Sequence, residues 1–471
     1  RLYDSRVFML ILKRLLTTSC TLLDTSPKNY YKIIAPSTFE TKKCESYNEK
    51  HSSTTTEITA TSTATVADTV EDELTITHKT KRKFISTYKR STHPTSVPLS
   101  KIFSNNFPLS INESFEDYKY RNNPLKFQHD LLSILPFYPT PDLQVKTKEG
   151  RSSEVLKVEI DDKGNYINEF VIYPENYNPQ VMPDDEYHHL IMVHGYGAGL
   201  GFFLKNFDEI SNFQPNNTQN NKYIVHAIDL LGYGCSSRPN FYPQNLDQVE
   251  NWFHDSFITW LQKRNIPSDK TIVMAHSMGA YLMATLAINR NLKFCSKLLM
   301  VSPGAIIRHQ TPVQVPRYFV KLWERNISPF TIVRKLGPLG SKIVSGWSSR
   351  RFDKLTRQEK KLLHKYSYGI FQSKGSGEYM LNYLLAPGAD ARHPLVDRGI
   401  DRITCDVSWW YGKEDWMDKK GGQICSAIIN NKGEFKSDVK IIEDSGHHIY
   451  LDNIKKFNSM VLEEMNQLIN K

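Results

Sequence analysis

The stretch Ala275-His276-Ser277-Met278-Gly279 closes an apolar run, Thr271 to Met274, and opens a second run of small and apolar residues. A serine set where a buried strand must become a helix is the nucleophile-elbow arrangement, in which a tight turn lifts the hydroxyl clear of the sheet. Such a turn demands small residues two before and two after the serine, and Ala275 and Gly279 stand there. It also aims the Met278 N–H and the helix N-terminus at the point where a tetrahedral oxyanion would form. Upstream, His194-Gly195-Tyr196-Gly197-Ala198-Gly199 follows another apolar run, and its backbone N–H groups, that of Tyr196 foremost, are candidates for the second oxyanion donor. No Gly-Lys-Ser/Thr occurs there, and the glycine spacing does not fit a dinucleotide fingerprint, so a phosphate loop is the weaker reading. Gly195, Gly197 and Gly279 are the glycines these two turns require.

A serine needs a base, and the base needs a partner that fixes its tautomer. In a sheet of this kind the acid and then the histidine follow the serine in chain order. The segment WYGKEDWMD supplies Asp415 three residues after Gly412, with Asp418 as a second candidate, and DSGHHIYLD supplies His447 and His448. Read blandly, these are solvated loop carboxylates and surface histidines; their order and their places at strand ends favour a Ser-Asp-His set.

The surrounding pattern is suited to holding such turns. EVLKVEI and YINEFVIY flank DKGN and read as a hairpin, while HLIMVHG, YIVHAID, TIVMAH, KLLMVS, CDVSWWYG and VKIIED are short apolar runs of the kind buried on both faces. Helical stretches separate them, the clearest at 246–264, where Val249, Trp252, Phe253, Phe257, Trp260 and Leu261 form one stripe. Strands alternating with helices imply an α/β architecture, a mostly parallel twisted sheet with helices on both faces. Residues 304–400 break the alternation and read as an inserted, mainly helical cap. The expected partition is 1–50 presequence and tail, 51–110 tether, 111–303 first part of the core, 304–400 cap, and 401–471 second part of the core.

The chain has 471 residues, 39% of them hydrophobic and 23% charged, which fits a globular protein with a polar extension. Six cysteines lack CxxC or CxxH spacing, so neither a metal site nor a secreted disulfide framework is expected. No uninterrupted apolar window is long enough for a transmembrane helix. From Met9, MLILKRLLTTSCTLL has two basic residues and no acid, the composition of a cleavable mitochondrial presequence. SSTTTEITATSTATV at 52–66 is too poor in large apolar groups to repay ordering and reads as a tether. The net charge of +10 concentrates in the cap, where 304–366 holds 14 Lys and Arg against three acids. With interleaved Trp323, Phe330, Trp347 and Phe352, this suggests peripheral docking on an anionic phospholipid surface, with Arg350, Arg351 and Lys354 as membrane contacts. No recognition motif for nucleic acid accompanies the charge.

VHGYGAGLGFFLKNF, AIDLLGYGCSSRP, AHSMGAY, SPFTIVRKLGPLG, SGEYMLNYL, YGKEDWMD and SGHHIYLD together resemble the comparative-gene-identification group of α/β-hydrolase lipases and acyltransferases, closest to the fungal mitochondrial cardiolipin-specific deacylases. The likeness runs over roughly residues 125–470. It implies Ser277 as nucleophile, Asp415 as acid and His447 as base, and an acyltransferase-type H-x4-D motif at His447 and Asp452; a helix N-cap is the structural reading of Asp452. The implied activity is removal of an acyl chain from cardiolipin at the mitochondrial inner membrane, with no cofactor. An acyl-CoA-dependent lysophosphatidate acyltransferase and a catalytically silent lipid-surface scaffold are the alternatives. Ala275 departs from the glycine usual at that place.

Overall fold

The structure, a computed structural model, describes residues 109–138, 150–175, 177–215, 223–309, 315 and 317–470. The expected presequence, and all but the last two residues of the expected tether, lie outside them.

Each apolar run becomes a strand. β1 (Ser152–Glu159) and β2 (Tyr166–Tyr173) form the hairpin, and β3 (His188–Val193), β4 (Tyr223–Ile228), β5 (Thr271–His276) and β6 (Lys297–Val301) follow. With β9 (Asp406–Gly412) and β10 (Ser437–Ile442) they make one eight-stranded sheet in the order β1-β2-β4-β3-β5-β6-β9-β10. β1–β2 and β2–β4 are antiparallel, and every pairing from β4 to β10 is parallel. Strand side chains alternate between faces. Ile272 and Met274 of β5 therefore enter one core cluster while Val273 and Ala275 enter the other.

The first cluster is closed by α3 (Leu204–Ser211) and α13 (Ile454–Ile469), through Phe207, Met460 and Val461. The second is closed by α4 (Leu246–Lys263), α5 (Met278–Arg290) and α11 (Lys419–Lys432). α4 starts on Asn245, whose side chain accepts the Gln248 N–H, and buries Val249, Phe253, Phe257, Trp260 and Leu261 as one stripe. Full burial of such a side chain is worth about 1.5–3 kcal/mol.

Between β6 and β9 the chain builds the cap from α6 (Arg317–Glu324), α7 (Pro329–Lys335), α8 (Gly340–Arg351), α9 (Arg357–Gln372) and the short α10 (Leu381–Leu384), with the two-residue strands β7 (Leu385–Ala386) and β8 (Asp390–Ala391). Unlike the expected partition, α1 (Ile111–Lys119) and α2 (Pro124–Leu132) pack against cap helices. Asp117 accepts a hydrogen bond from Ser341 at 2.7 Å, and Gly369 of α9 is so close to Phe127 of α2 that a Cβ would stand 2.5 Å from the ring. Amphipathic helices early in a chain carry no sign of which later surface they will cover.

Candidate active site

β5 ends at His276, and Ser277 turns the chain into α5 with φ +53° and ψ −115°. A non-glycine residue there is strained, and such strain persists only where neighbours over-determine it. Here the Ser277 N–H donates to the Val301 carbonyl at 2.9 Å and its carbonyl accepts from Gly304 at 3.2 Å. Gly279 is needed because a Cβ would stand 2.4 Å from the His194 carbonyl oxygen. Ala275 is fully buried between β3 and β6, so the methyl that departs from glycine fills the core and leaves the turn intact.

Ser277 Oγ lies 3.0 Å from His447 Nε2, and His447 Nδ1 lies 3.1 Å from Asp415 Oδ1. In the tautomer this spacing demands, Nδ1–H donates to the carboxylate and Nε2 accepts from the serine hydroxyl. Burial works to raise the Asp415 pKa, but the His447 hydrogen bond and charge, followed by the Met417 N–H, hold it below the ordinary carboxylate value. Asp418, the second candidate acid, instead caps α11 by accepting the Lys420 N–H at 2.9 Å. His448 lines the same cavity, and it is the His447 Nε2 that faces the Ser277 hydroxyl.

The remaining expected residues fall into place around the serine. Tyr196 and Met278 line its cavity. A Cβ on Gly195 would sit 3.0 Å from that of Ser277, so the loop passes directly against this serine, while Gly197, at φ +65°, leaves room for the Phe330 ring. His194 fastens this loop: Nδ1–H donates to the Gly195 carbonyl and Nε2 accepts the Leu230 N–H at 3.0 Å. Burial, then the charge of His447, pulls the His276 pKa well below the usual histidine value, and its Nε2–H donates to the His447 carbonyl at 2.9 Å. His276 thereby braces the base without competing for the serine. Sequence reading missed both braces; the signal was the histidine that ends each of the runs VH194 and AH276.

Two expectations need correction. Asp452 is not the N-cap of α13, which is Asn453 accepting the Lys456 N–H. Asp452 instead ends α12 (Ile449–Asp452) and accepts the Gly446 N–H at 3.0 Å, tying the turn that carries His447. The membrane trio is also different in kind. Arg350 and Arg351 are partly exposed but each has two guanidinium nitrogens shut away from solvent, and the ammonium of exposed Lys354 donates to the Asp444 and Asp452 carbonyls. Three of the four interleaved aromatics are engaged inside the fold: Phe352 is buried in the core cluster on one face of the sheet, and Phe330 and Trp347 pack, partly buried, against it. Cations elsewhere in the cap are engaged too, Arg334 with Glu378 at 2.6 Å and Lys342 with the Leu109 carbonyl. A sum of charges along a segment cannot see that a helical bundle turns part of them inward.

The cavity over Ser277 has a volume of about 240 Å³ and is mainly apolar. The cap supplies Trp323, Leu381, Leu384 and Leu385, and the core supplies Tyr281, Trp416 and Met417. Among the described residues no cluster of His, Cys, Asp and Glu has metal-site spacing, and no helix is long and apolar enough to cross a membrane.

A sheet order of this kind, with a serine at the β5 turn facing a histidine after the last strand, defines an α/β hydrolase. The chain belongs to that family: residues 188–454 match the model of the alpha/beta hydrolase fold. It is 34% identical over 292 residues to a rice (Oryza sativa subsp. japonica) protein described as a probable 1-acylglycerol-3-phosphate O-acyltransferase, covering 58% of this chain and 66% of the relative. An Arabidopsis thaliana 1-acylglycerol-3-phosphate O-acyltransferase is 31% identical over 311 residues, covering 60% of this chain and 67% of the relative. A bovine (lyso)-N-acylphosphatidylethanolamine lipase is 29% identical over 287 residues, covering 58% and 78%. The chain thus spans about two thirds of the length of the two plant relatives.

Proposed function

We propose that this chain is a serine acyl hydrolase that removes a fatty acyl chain from a phospholipid, with cardiolipin to monolysocardiolipin as its reaction. The observation that carries the reading is the hydrogen-bonded series Ser277–His447–Asp415 opening on an apolar cavity. Ser277 Oγ attacks the ester carbonyl while His447 Nε2 takes its proton, and Asp415 stabilises the imidazolium that results. The N–H groups of Met278 and Tyr196 receive the oxyanion. His447 then protonates the departing glycerol oxygen, and a water activated by His447 hydrolyses the acyl-enzyme. Support for cardiolipin comes from the presequence-like composition after Met9 and from the motifs shared with the deacylase group.

The second reading is acyl transfer, favoured by the names of the two plant relatives. A lysophosphatidate hydroxyl would replace water at the second step, with acyl-CoA as acyl donor. Incubating purified protein with cardiolipin or lysophosphatidate, with and without acyl-CoA, and resolving products by mass spectrometry separates the two. Free fatty acid plus monolysocardiolipin supports hydrolysis; phosphatidate formed only with acyl-CoA supports transfer; neither product in any arm favours a silent scaffold.

We further place the protein in mitochondria, peripheral on the inner membrane, with the contact shifted from Arg350, Arg351 and Lys354 to the rim of the cavity. Exposed Phe319 of α6 packs on Trp323, and exposed Trp416 stands 5.0 Å from the His447 ring, so apolar groups surround the opening. A reporter fused to residues 9–60 should enter mitochondria, and diffuse cytosolic signal would overturn the placement.

A further inference from the structure

Two arginines with enclosed, unpartnered nitrogens stand near the turn that carries His447. At the end of α8, Nε and Nη2 of Arg351 and Nε and Nη1 of Arg350 are enclosed without hydrogen-bond partners. His276 Nδ1, His448 Nδ1 and the Tyr450 hydroxyl are orphaned in the same way. These three rings form one group, with centroids 4.8 Å (His276–His448), 5.0 Å (His276–Tyr450) and 5.6 Å (His448–Tyr450) apart. Lys354, three residues beyond Arg351, pins the end of α8 to this turn through the Asp444 and Asp452 carbonyls. Arg351 is near enough that its charge acts on both Tyr450 and His276.

A buried guanidinium without a partner is costly, and native proteins leave few polar groups unsatisfied without a water, an ion or a ligand to complete them. The acids nearest in charge to Arg351 are already engaged: Asp452 accepts from Gly446, and Asp415 from His447 and Met417. A planar fork of N–H donors matches a phosphate, whose remaining oxygens can accept from a phenol and an imidazole. Two members of the group, His276 and His448, also line the cavity over Ser277. We propose that Arg351, with His448 and Tyr450, forms a phosphate subsite of the acyl-ester site, so that the ester handled at Ser277 is one carried by a phosphate-bearing glycerolipid. The proposal rests on the reading of Ser277 as acyl-transfer nucleophile and names the substrate feature that the site selects. It assigns Arg351 to the substrate rather than to the bilayer.

The test uses the full chain and two esters with identical acyl chains, phosphatidic acid and diacylglycerol, presented in the same neutral detergent micelles. Wild type should prefer phosphatidic acid, and Arg351→Met should lower the ratio of the two kcat/KM values at least tenfold, chiefly through KM for phosphatidic acid. Arg351→Lys should recover part of that ratio. Glycerol 3-phosphate should compete with a soluble neutral ester on wild type and not on Arg351→Met. A ratio changed by less than twofold, or an equal loss on both esters, assigns Arg351 to holding the His447 turn and overturns the subsite. If Arg351→Met does not fold, competition on wild type decides: inhibition by glycerol 3-phosphate but not by glycerol supports the subsite, and inhibition by neither overturns it. Inorganic phosphate competing as well as glycerol 3-phosphate would mark a free-anion site, and coenzyme A competing where glycerol 3-phosphate does not would put the phosphate on an acyl donor; either overturns the headgroup assignment. Cleavage of both esters without phosphate preference removes the subsite alone, whereas a chain inert toward every ester removes the serine reading beneath it.

Discussion

The two walls of the cavity over Ser277 are built on different principles. The core wall is set by directional bonds: Ser277 to Val301 and Gly304, His276 to the His447 carbonyl, Gly446 to Asp452, and Glu414 to the Ser445 carbonyl. Gly412 lets the last two strand ends meet so closely that a Cβ there would lie 2.3 Å from the Ser445 carbonyl oxygen. The cap wall presents Trp323, Leu381, Leu384 and Leu385, apolar side chains with few polar ties, such as Trp323 Nε1–H to the Leu385 carbonyl at 3.0 Å. Hydrogen bonds hold atoms in place, whereas apolar contact is non-directional and scales with area. On the proposed function, reaction geometry would therefore belong to the core wall and acyl-chain fit to the cap wall.

Changes on the core wall should cost most. Ser277→Ala is expected to lower ester cleavage by about 10³-fold or more with little change in Tm, because the methyl occupies the same strained turn. Ser277→Gly should be equally inactive yet more stable, by about 1 kcal/mol, since glycine accepts φ +53° without strain. Turnover by Ser277→Ala within tenfold of wild type would break the division of labour outright. Next, Asp415→Asn should reduce kcat by about 10²–10⁴-fold, because an amide at Oδ1 favours the wrong tautomer of His447.

Why these positions were legible while the cap was not follows from packing. β3, β5, β6 and β9 are covered on both faces, so each reads as an unbroken apolar run, and a turn residue after such a run must lie at the sheet's end. Ser277 and Asp415 each follow a run of this kind within a few residues, whereas His447 follows the edge strand β10, of which only Ile442 is buried. Nothing local marks where a cap cation points. Arg351 and exposed Lys354 are alike in sequence, and only the fold separates a guanidinium with enclosed nitrogens from a surface ammonium. Asp452 shows the same limit: its spacing to His447 was visible, but its bond to Gly446 depends on a turn folding back on itself.

The core's buried histidines carry a pH cost. Burial lowers the pKa of His189 to about 2 and that of His254 to about 3, and lowers His194 and His276 as well. These side chains stay neutral when folded but take up protons near 6.5 when unfolded, so their contribution is intact above that pH and lost as pH falls below it. His189 and His254 should each remove about 1.4 kcal/mol of stability between pH 7.5 and 5.5, measured by urea unfolding, with His194 and His276 acting in the same direction. A flat profile across that window would contradict their neutrality. On the opposite wall, Trp323→Ala should lower kcat/KM for long-chain esters by roughly tenfold and barely change that for acetate esters, since only a long chain reaches the lost apolar area. Equal losses on both would return the cap to the reaction geometry.

The smallest effect is the sharpest check on how finely the core wall is drawn. Asp418 lies three residues beyond Asp415 in the same loop, and Trp416 and Met417 between them line the cavity. Its carboxylate accepts the Lys420 N–H and starts α11, while Asp415 faces His447. Asp418→Ala should therefore cost about 1 kcal/mol of stability, the worth of an N-cap, and Asp418→Asn less, because asparagine caps nearly as well. Turnover should stay within about threefold in both variants, since neither removes a bond to the base; a loss comparable with that of Asp415→Asn would mean that the loop shifts by one turn in the working enzyme and that Asp418 then faces His447.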